Sequence, residues 1–493
     1  MSANFINTID GEVINLMNYK KISISPITFV ILGIGLVLSI YVLDNPPGRD
    51  GLELIGLLPA LASCCVASIL NTLRDRKISV CIYLYLIVLT LRYVVMPLLL
   101  SLSNGYLHFM RNPGTKELNQ YAVFVLIIEL ITMWLSLKFY IPRYDYLVQE
   151  DDRIDSSKIR FQTLAIIIVV LGICLIRYDR FIENIHFFNL SSTESVGSYE
   201  QIALQVIKSY VCVRIIIYLK NKYEDNRAFR YVIYALLVSV FNCGVFFGIN
   251  RSLILQTAIA TIAVLINQFP NHKRLLFGTM IPAVTIMILG ITLLRHFNTT
   301  LSTFGTGTTN INTISATVEG YCCGPWSITS SVNASNIYRH ELGLFGMVSD
   351  FVCNFFPFML PGLNAIREYF LSVGNTSLLF NSTINYTGSM IPMIGQCNFY
   401  FGMYFGIVAD VFLNIWCMKI LARSCFRAVR VLSVEMRFYY TWLSSLFAFS
   451  MCYCLITFTW SWSKFGMIFL FMSWINRKTV ITGGRNLLSR GGE

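Results

Sequence analysis

Leu342-Gly-Leu-Phe-Gly-Met-Val-Ser-Asp-Phe-Val-Cys-Asn-Phe-Phe-Pro-Phe-Met-Leu360 is apolar enough to enter a bilayer and carries one charge, Asp350. If this stretch crosses the membrane, everything after it changes sides. If it dips in and returns, nothing after it does. The charges of the other loops decide between the two. Short loops that remain in the cytoplasm are enriched in Lys and Arg. With Lys20 and Lys21 placed inside, the inner loops hold Arg74, Arg76 and Lys77, then Arg143, Arg153, Lys158 and Arg160, then Lys220, Lys222, Arg227 and Arg230, then Lys273 and Arg274. The outer loops are poorer, with Arg49, Arg111, Lys116, Arg177, Arg180 and Arg251. Residue 295 therefore emerges outside. A crossing at 342–360 would expel the basic loop Arg423, Arg427, Arg430 and Arg437, against the rule. A returning segment keeps that loop and the C-terminal Arg477, Lys478, Arg485 and Arg490 inside. Pro357 and Pro361-Gly362 also suit a broken, protein-held segment. The expectation is that 342–360 is re-entrant or interfacial.

The spans themselves follow from composition. The chain has 493 residues, 55% apolar and 13% charged, with mean hydropathy +0.62. A soluble chain carries about 25% charged residues. Apolar segments recur at 27–43, 52–70, 78–100, 121–140, 161–176, 201–219, 231–248, 253–269, 275–294, 399–420, 438–457 and 458–475. Most are long enough for a ~30 Å hydrocarbon core. Their continuity excludes a β-barrel, whose strands alternate. The expected fold is an all-α polytopic integral membrane protein of about 12 transmembrane helices, both termini cytoplasmic. It divides into a membrane domain 1–294, a large outer loop 295–398 and C-terminal helices with a tail, 399–493.

The net charge of +12 is explained by the loops, so no nucleic-acid partner is expected. Most of the fourteen cysteines fall inside apolar segments, where they act as small apolar residues, and no metal-ligand spacing stands out. No cofactor and no metal are expected, and Met1–Ile24 has no cleavable signal pattern, so the first span stays as an anchor.

Charges within spans are the first functional candidates. Arg92 and Glu129 each lie eight residues from the outer end of their segments, about 12 Å deep at ~1.5 Å per residue, so antiparallel neighbours can pair them. Arg92 is alternatively a cavity-lining arginine. Arg214 is expected to snorkel to the inner face. Lys208 and Asp410 stay open.

The outer loop is polar and holds three arginines (Arg295, Arg339, Arg367) and no lysine between Arg295 and Cys397. Guanidinium forks match phosphate oxygens. A phosphate at an outer membrane surface belongs to a lipid-linked substrate. Arg251, in the tight turn between two spans, joins this set. Aromatics such as Tyr321, Trp326 and Tyr338, with amides such as Gln396, suit sugar faces and hydroxyls. Acid/base candidates are His340 and Glu341 beside Arg339, His296 beside Arg295, and the lone carboxylates Glu319 and Glu368.

Three stretches resemble the O-antigen and capsule repeat-unit polymerases (Wzy-type) of bacterial envelopes. Phe247-Gly-Ile-Asn-Arg-Ser-Leu-Ile254 is similar to that family's short arginine turn before an apolar helix. Glu319-Gly-Tyr-Cys-Cys-Gly-Pro-Trp326 is similar to its aromatic Gly-Pro segment. Met390-Ile-Pro-Met-Ile-Gly-Gln-Cys-Asn-Phe-Tyr-Phe-Gly402 is similar to its segment before a late span. The resemblance covers most of the chain by layout and roughly 30 residues by motif. Asn250 and Cys322-Cys323 depart from the pattern. The resemblance implies a GT-C-like, metal-independent glycosyltransferase in the bacterial inner membrane. Its substrate would be an undecaprenyl-pyrophosphate-linked oligosaccharide, with a chain-length regulator as a further partner. Arg251, with Arg295, Arg339, Arg367 and Arg92, would bind pyrophosphate. His340, Glu341 or His296 would activate the acceptor hydroxyl. An O-antigen ligase and a flippase of the same substrate are the competing readings.

Overall fold

The computed structural model describes residues 26–107, 114–147, short pieces between 164 and 172, 185–186, 199–247, 251–300, 310–337, 392–452 and 461–476. Their regular elements are helical apart from one two-residue antiparallel pairing, Ile185 with Phe247 and His186 with Phe246. Five helices are long and apolar enough to cross a membrane: α1 (Pro26–Asp44), α2 (Glu53–Leu73), α3 (Cys81–Leu102), α4 (Lys116–Leu147) and, much later in the chain, Met393–Arg430. By that measure the chain is a multi-pass membrane protein. Between them come α5 (Tyr199–Asn226), α6 (Arg230–Gly244), α7 (Arg251–Gln268), α8 (Lys273–Thr300), α9 (Asn310–Tyr321) and a helix over 325–337, here α10. Met393–Arg430 is α11, Val434–Ala448 is α12 and Met467–Asn476 is α13. The segment 342–360 lies outside the described residues.

α1 has the character of a lipid-facing helix. Ile27, Phe29, Val30, Ile34, Leu36, Val37 and Ile40 are all exposed, and its contacts run along α2. A bilayer, not water, is the solvent such a surface fits. Gly35 permits the approach: a Cβ there would overlap the Ser63 hydroxyl, and Ser39 Oγ donates to the Gly56 carbonyl beside it. Small residues that let backbones meet are the usual basis of helix association in lipid.

The bundle has two distinct ends. At the end where α1 stops, Ser101 Oγ donates to the Asn45 carbonyl and Asn119 Nδ2 to the Asp50 carbonyl, drawing the 45–53 turn against α3 and α4. At the other end, Asp145 meets both Arg76 and Arg430, and the Ser79 amide donates to the Cys425 carbonyl. α5 passes the first turn of α12 there, with Tyr210 and Arg214 both on Glu435. Arg74, Arg76, Lys77, Arg143, Arg423, Arg427, Arg430 and Arg437 gather at this second end, and Lys220, Lys222, Arg227 and Arg230 follow at the C-terminal end of α5 and the turn after it.

Arg214 departs from expectation. It does not reach for the surface: its side chain is enclosed and its guanidinium holds Glu435 at 2.9 Å. A carboxylate at this depth offers a closer partner than the headgroups, and the hydrophobic reading of the α12 segment had not placed Glu435 inside. Lys208 is satisfied by two carbonyls, those of Asn242 and Val245, at the end of α6.

Candidate functional site

The described part of the 295–398 loop is a helical hairpin docked at the end of the bundle where α1 stops. α9 ends at Tyr321, and the chain reverses through Cys322-Cys323-Gly324, with Cys323 at φ 51°. The Gly324 amide donates to the Glu319 carbonyl at 2.9 Å. Gly324 has no room for a side chain, because a Cβ would press on Met96 Sδ and Glu319 Cγ. α10 then starts at Pro325, a residue suited to a first helical turn.

Glu319 locks this turn. Arg49, from the turn between α1 and α2, donates Nη1 to its Oε1 at 3.0 Å and Nη2 to its Oε2 at 2.8 Å. Oε1 also accepts the Trp326 backbone N–H at 3.0 Å, placing a carboxylate on the positive end of α10. Both side chains are enclosed, at 4% and 0% exposure. Ser103 Oγ donates to Ser315 Oγ at 2.9 Å and adds a second tie from α3. Glu319 was a candidate acid or base; in this geometry its oxygens serve a structural fork.

α10 is unusual in composition for an enclosed helix. Ser327, Thr329, Ser330, Ser331 and Ser335 are all buried, and Asn333 is half-buried. Some hydroxyls return to their own helix, as Ser331 does to the Ile328 carbonyl and Thr329 to that of Trp326. Ser335 Oγ reaches across to the Asn398 carbonyl at 3.2 Å.

Asn398 belongs to the second element of the site. α11 is two helices joined at Gly402, whose φ 77° and ψ 175° no other residue adopts readily. Residues 392–400 are buried on every side, Gln396 and Asn398 included. The break folds this short arm back over the start of the long arm. Asn398 then fills the space a Cβ on Gly406 would occupy, and Tyr121 Oη from α4 lies 2.9 Å from Asn398 Oδ1 and 3.0 Å from the Met403 carbonyl. Gly402→Ala is expected to destabilise the protein by about 1–3 kcal/mol and to free the arm. A thermal melt and protease nicking at the arm measure both effects; wild-type behaviour in both would contradict this account of the kink.

Below this layer, Arg92 and Glu129 meet as their depths required. The ion pair is 2.7 Å, with both side chains enclosed. The residues at Leu91–Val95 form a π turn, so neighbouring Arg92 and Tyr93 both reach Glu129, Tyr93 Oη at 3.0 Å. Arg92 also donates to the Met451 carbonyl. It presents nothing to an outside ligand in this arrangement.

The other site candidates are distributed as follows. Tyr321 is 58% exposed at the end of α9, whereas Trp326 is enclosed at the start of α10, so the two do not share an open face. Gln396 is enclosed in the fold-back arm, which α10 touches through Ser335. Arg251 is the first residue of α7, and Arg295 and His296 ride the last turns of α8; their side chains lie outside the described residues. Arg339, His340, Glu341, Tyr338 and Arg367 lie wholly outside them. Arg49 was the residue sequence reasoning missed, since it sat in an outer loop as one charge among several. Among the described residues, no group of three or more His, Cys, Asp or Glu side chains is arranged to hold a metal ion.

Compared with known proteins, the chain matches no family model, no curated protein and no solved structure.

Proposed function

We propose that the protein is a repeat-unit polymerase: a metal-independent glycosyltransferase with about twelve spans and a GT-C-like layout, in the bacterial inner membrane. Two of the three stretches that resemble such polymerases coincide with special backbone features at one end of the bundle. Glu319–Trp326 is the Arg49-locked turn, and 390–402 includes the fold-back arm that ends on the Gly402 kink. The observation that carries the reading is the enclosed polar layer where α10, which follows the first stretch, meets the fold-back arm, at the end opposite the basic loops. A layer of hydroxyls and amides at that depth suits a glycan and has little other reason to be retained in lipid.

In this reading the growing glycan leaves one undecaprenyl pyrophosphate and joins the non-reducing end of the next lipid-linked unit. The acceptor hydroxyl attacks the anomeric carbon, and the bond from that carbon to the pyrophosphate oxygen breaks. Arg251, Arg295, Arg339 and Arg367 hold the departing pyrophosphate. A base drawn from His340, Glu341 and His296 takes the hydroxyl proton. Tyr321 and Tyr338 line the sugar path, while Gln396 and Trp326, both enclosed, support the layer without facing it.

Arg251→Ala or Arg339→Ala is expected to lower polymer formation by at least two orders of magnitude, in line with removal of one oxyanion-stabilising donor. Protein level in the membrane should stay normal. A gel ladder of surface glycan reads the result. A normal ladder from either variant would remove that arginine from the site.

A further inference from the structure

Four carboxylates are buried among the described residues: Glu129, Glu319, Asp410 and Glu435. Three of them hold an arginine, at 2.7 Å for Glu129 and Arg92, 2.8 Å for Glu319 and Arg49, and 2.9 Å for Glu435 and Arg214. Asp410 has no cation within ion-pair distance among the described residues. It is 2% exposed, on the long arm of α11. Its Oδ2 accepts Asn414 Nδ2 at 2.9 Å, while among the described residues its Oδ1 meets no partner, and Asn414, 1% exposed, leaves its own Oδ1 unmet as well. Two enclosed acceptor oxygens on successive turns of one helix are therefore unsatisfied. A further carbonyl cannot satisfy them. A donor proton or a cation can.

The neighbours sharpen the point. α4 and the long arm of α11 run in the same direction from the Tyr121 to Met403 contact. Glu129 lies eight residues below Tyr121 and Asp410 seven below Met403, so both carboxylates sit about 11–12 Å down in one layer. Asn414 touches Asp410 from its own helix, and the groups near enough to act on its charge are Glu129 and Tyr121 from α4, Arg92 from α3, Cys397 from the fold-back arm and Cys417. Among the described residues, the layer holds two carboxylates and one guanidinium. One negative charge remains, in surroundings that do not tolerate it alone.

We infer that Asp410 and Asn414 bind a single monovalent cation, a proton or a sodium ion, which neutralises the layer they share with Glu129 and Arg92. The site lies directly beneath the fold-back arm, between the two helices that hold that arm in place. It stands whether or not the protein is a polymerase.

The test uses the full-length protein in detergent micelles. Melting temperature is followed from mildly acidic to mildly alkaline pH, in sodium chloride and in choline chloride of equal ionic strength. In choline chloride the wild type should melt lower as pH rises, because an ionised Asp410 without its counter-charge disfavours the folded state. Asp410→Asn, neutral at every pH and nearly the same shape, should lack that loss. If sodium restores the alkaline melting temperature of the wild type alone, the ion is sodium; if it does not, the ion is the proton. Parallel behaviour of wild type and variant in both salts would overturn the inference. Should Asp410→Asn fail to fold, the wild type still decides. A protonated-carboxyl band in the infrared spectrum or saturable binding of radioactive sodium upholds the site, and the lack of both removes it.

Discussion

Glu319→Ala is expected to destabilise the protein by about 3–5 kcal/mol, the usual result of removing one partner of a buried ion pair. The loss has three sources. The Arg49 guanidinium stays enclosed without a counter-charge. The Trp326 N–H loses its acceptor at the start of α10. The turn at Cys322-Cys323-Gly324, with Cys323 at positive φ, loses the side chain that packs beneath it. Arg49→Ala should act almost as strongly, because it strands Glu319. The two losses should not add, since the second substitution removes a charge that the first had already left unpaired. Glu319→Gln can keep the bond to Trp326 but not the charge, so its effect should fall between. Unfolding of the purified variants measures all of this. A Glu319→Ala variant that melts with the wild type would show that the hairpin is held by other contacts.

The second large effect concerns Arg92 and Glu129. Arg92→Ala leaves the Glu129 carboxylate and the Met451 carbonyl facing an empty, apolar space, and about 3–5 kcal/mol is again expected. Here the double replacement is the instructive variant. Arg92→Met with Glu129→Leu removes both charges and refills the volume, and such exchanges are often neutral or better. The double variant should therefore fold far better than either single one. A double variant as unstable as Arg92→Ala would assign the damage to packing alone. The exchange removes one charge of each sign from the layer around Asp410 and leaves its single negative charge in place, so the sensitivity of that layer to pH or sodium should persist in the same protein.

What could be read from the sequence was whatever repeats locally. Apolar runs marked the long helices; Lys116–Leu147 continues past its run at both ends through polar residues, whereas Met393–Arg430 gains the enclosed fold-back arm at its start and basic turns at its end. Loop charges separated the two ends. Counting residues from the span ends brought Arg92 to the depth of Glu129. The misses are contacts between distant parts of the chain. Arg49 and Glu319 are 270 positions apart, and Arg214 and Glu435 are 221 apart. No spacing rule links such pairs, and each charge taken alone looked like a loop or snorkelling residue. The kink at Gly402 was hidden for another reason. It lies inside an apolar run, where a glycine changes hydropathy little but changes the chain's direction completely. Of the candidate site, the stretches singled out in the sequence covered the turn at Glu319–Trp326 and the fold-back arm but not the hydroxyl run from Ser327 to Ser335, and they could not separate the Glu319 that builds the turn from residues that would meet a substrate.

The surface glycan of a strain lacking this protein decides whether it polymerises repeat units. A surface carrying a single capped repeat unit is expected, with the ladder restored by the wild-type chain and not by Arg251→Ala. Long polymer accumulating on its lipid carrier would contradict the account in favour of a ligase, and repeat units retained inside the cell would contradict it in favour of a flippase.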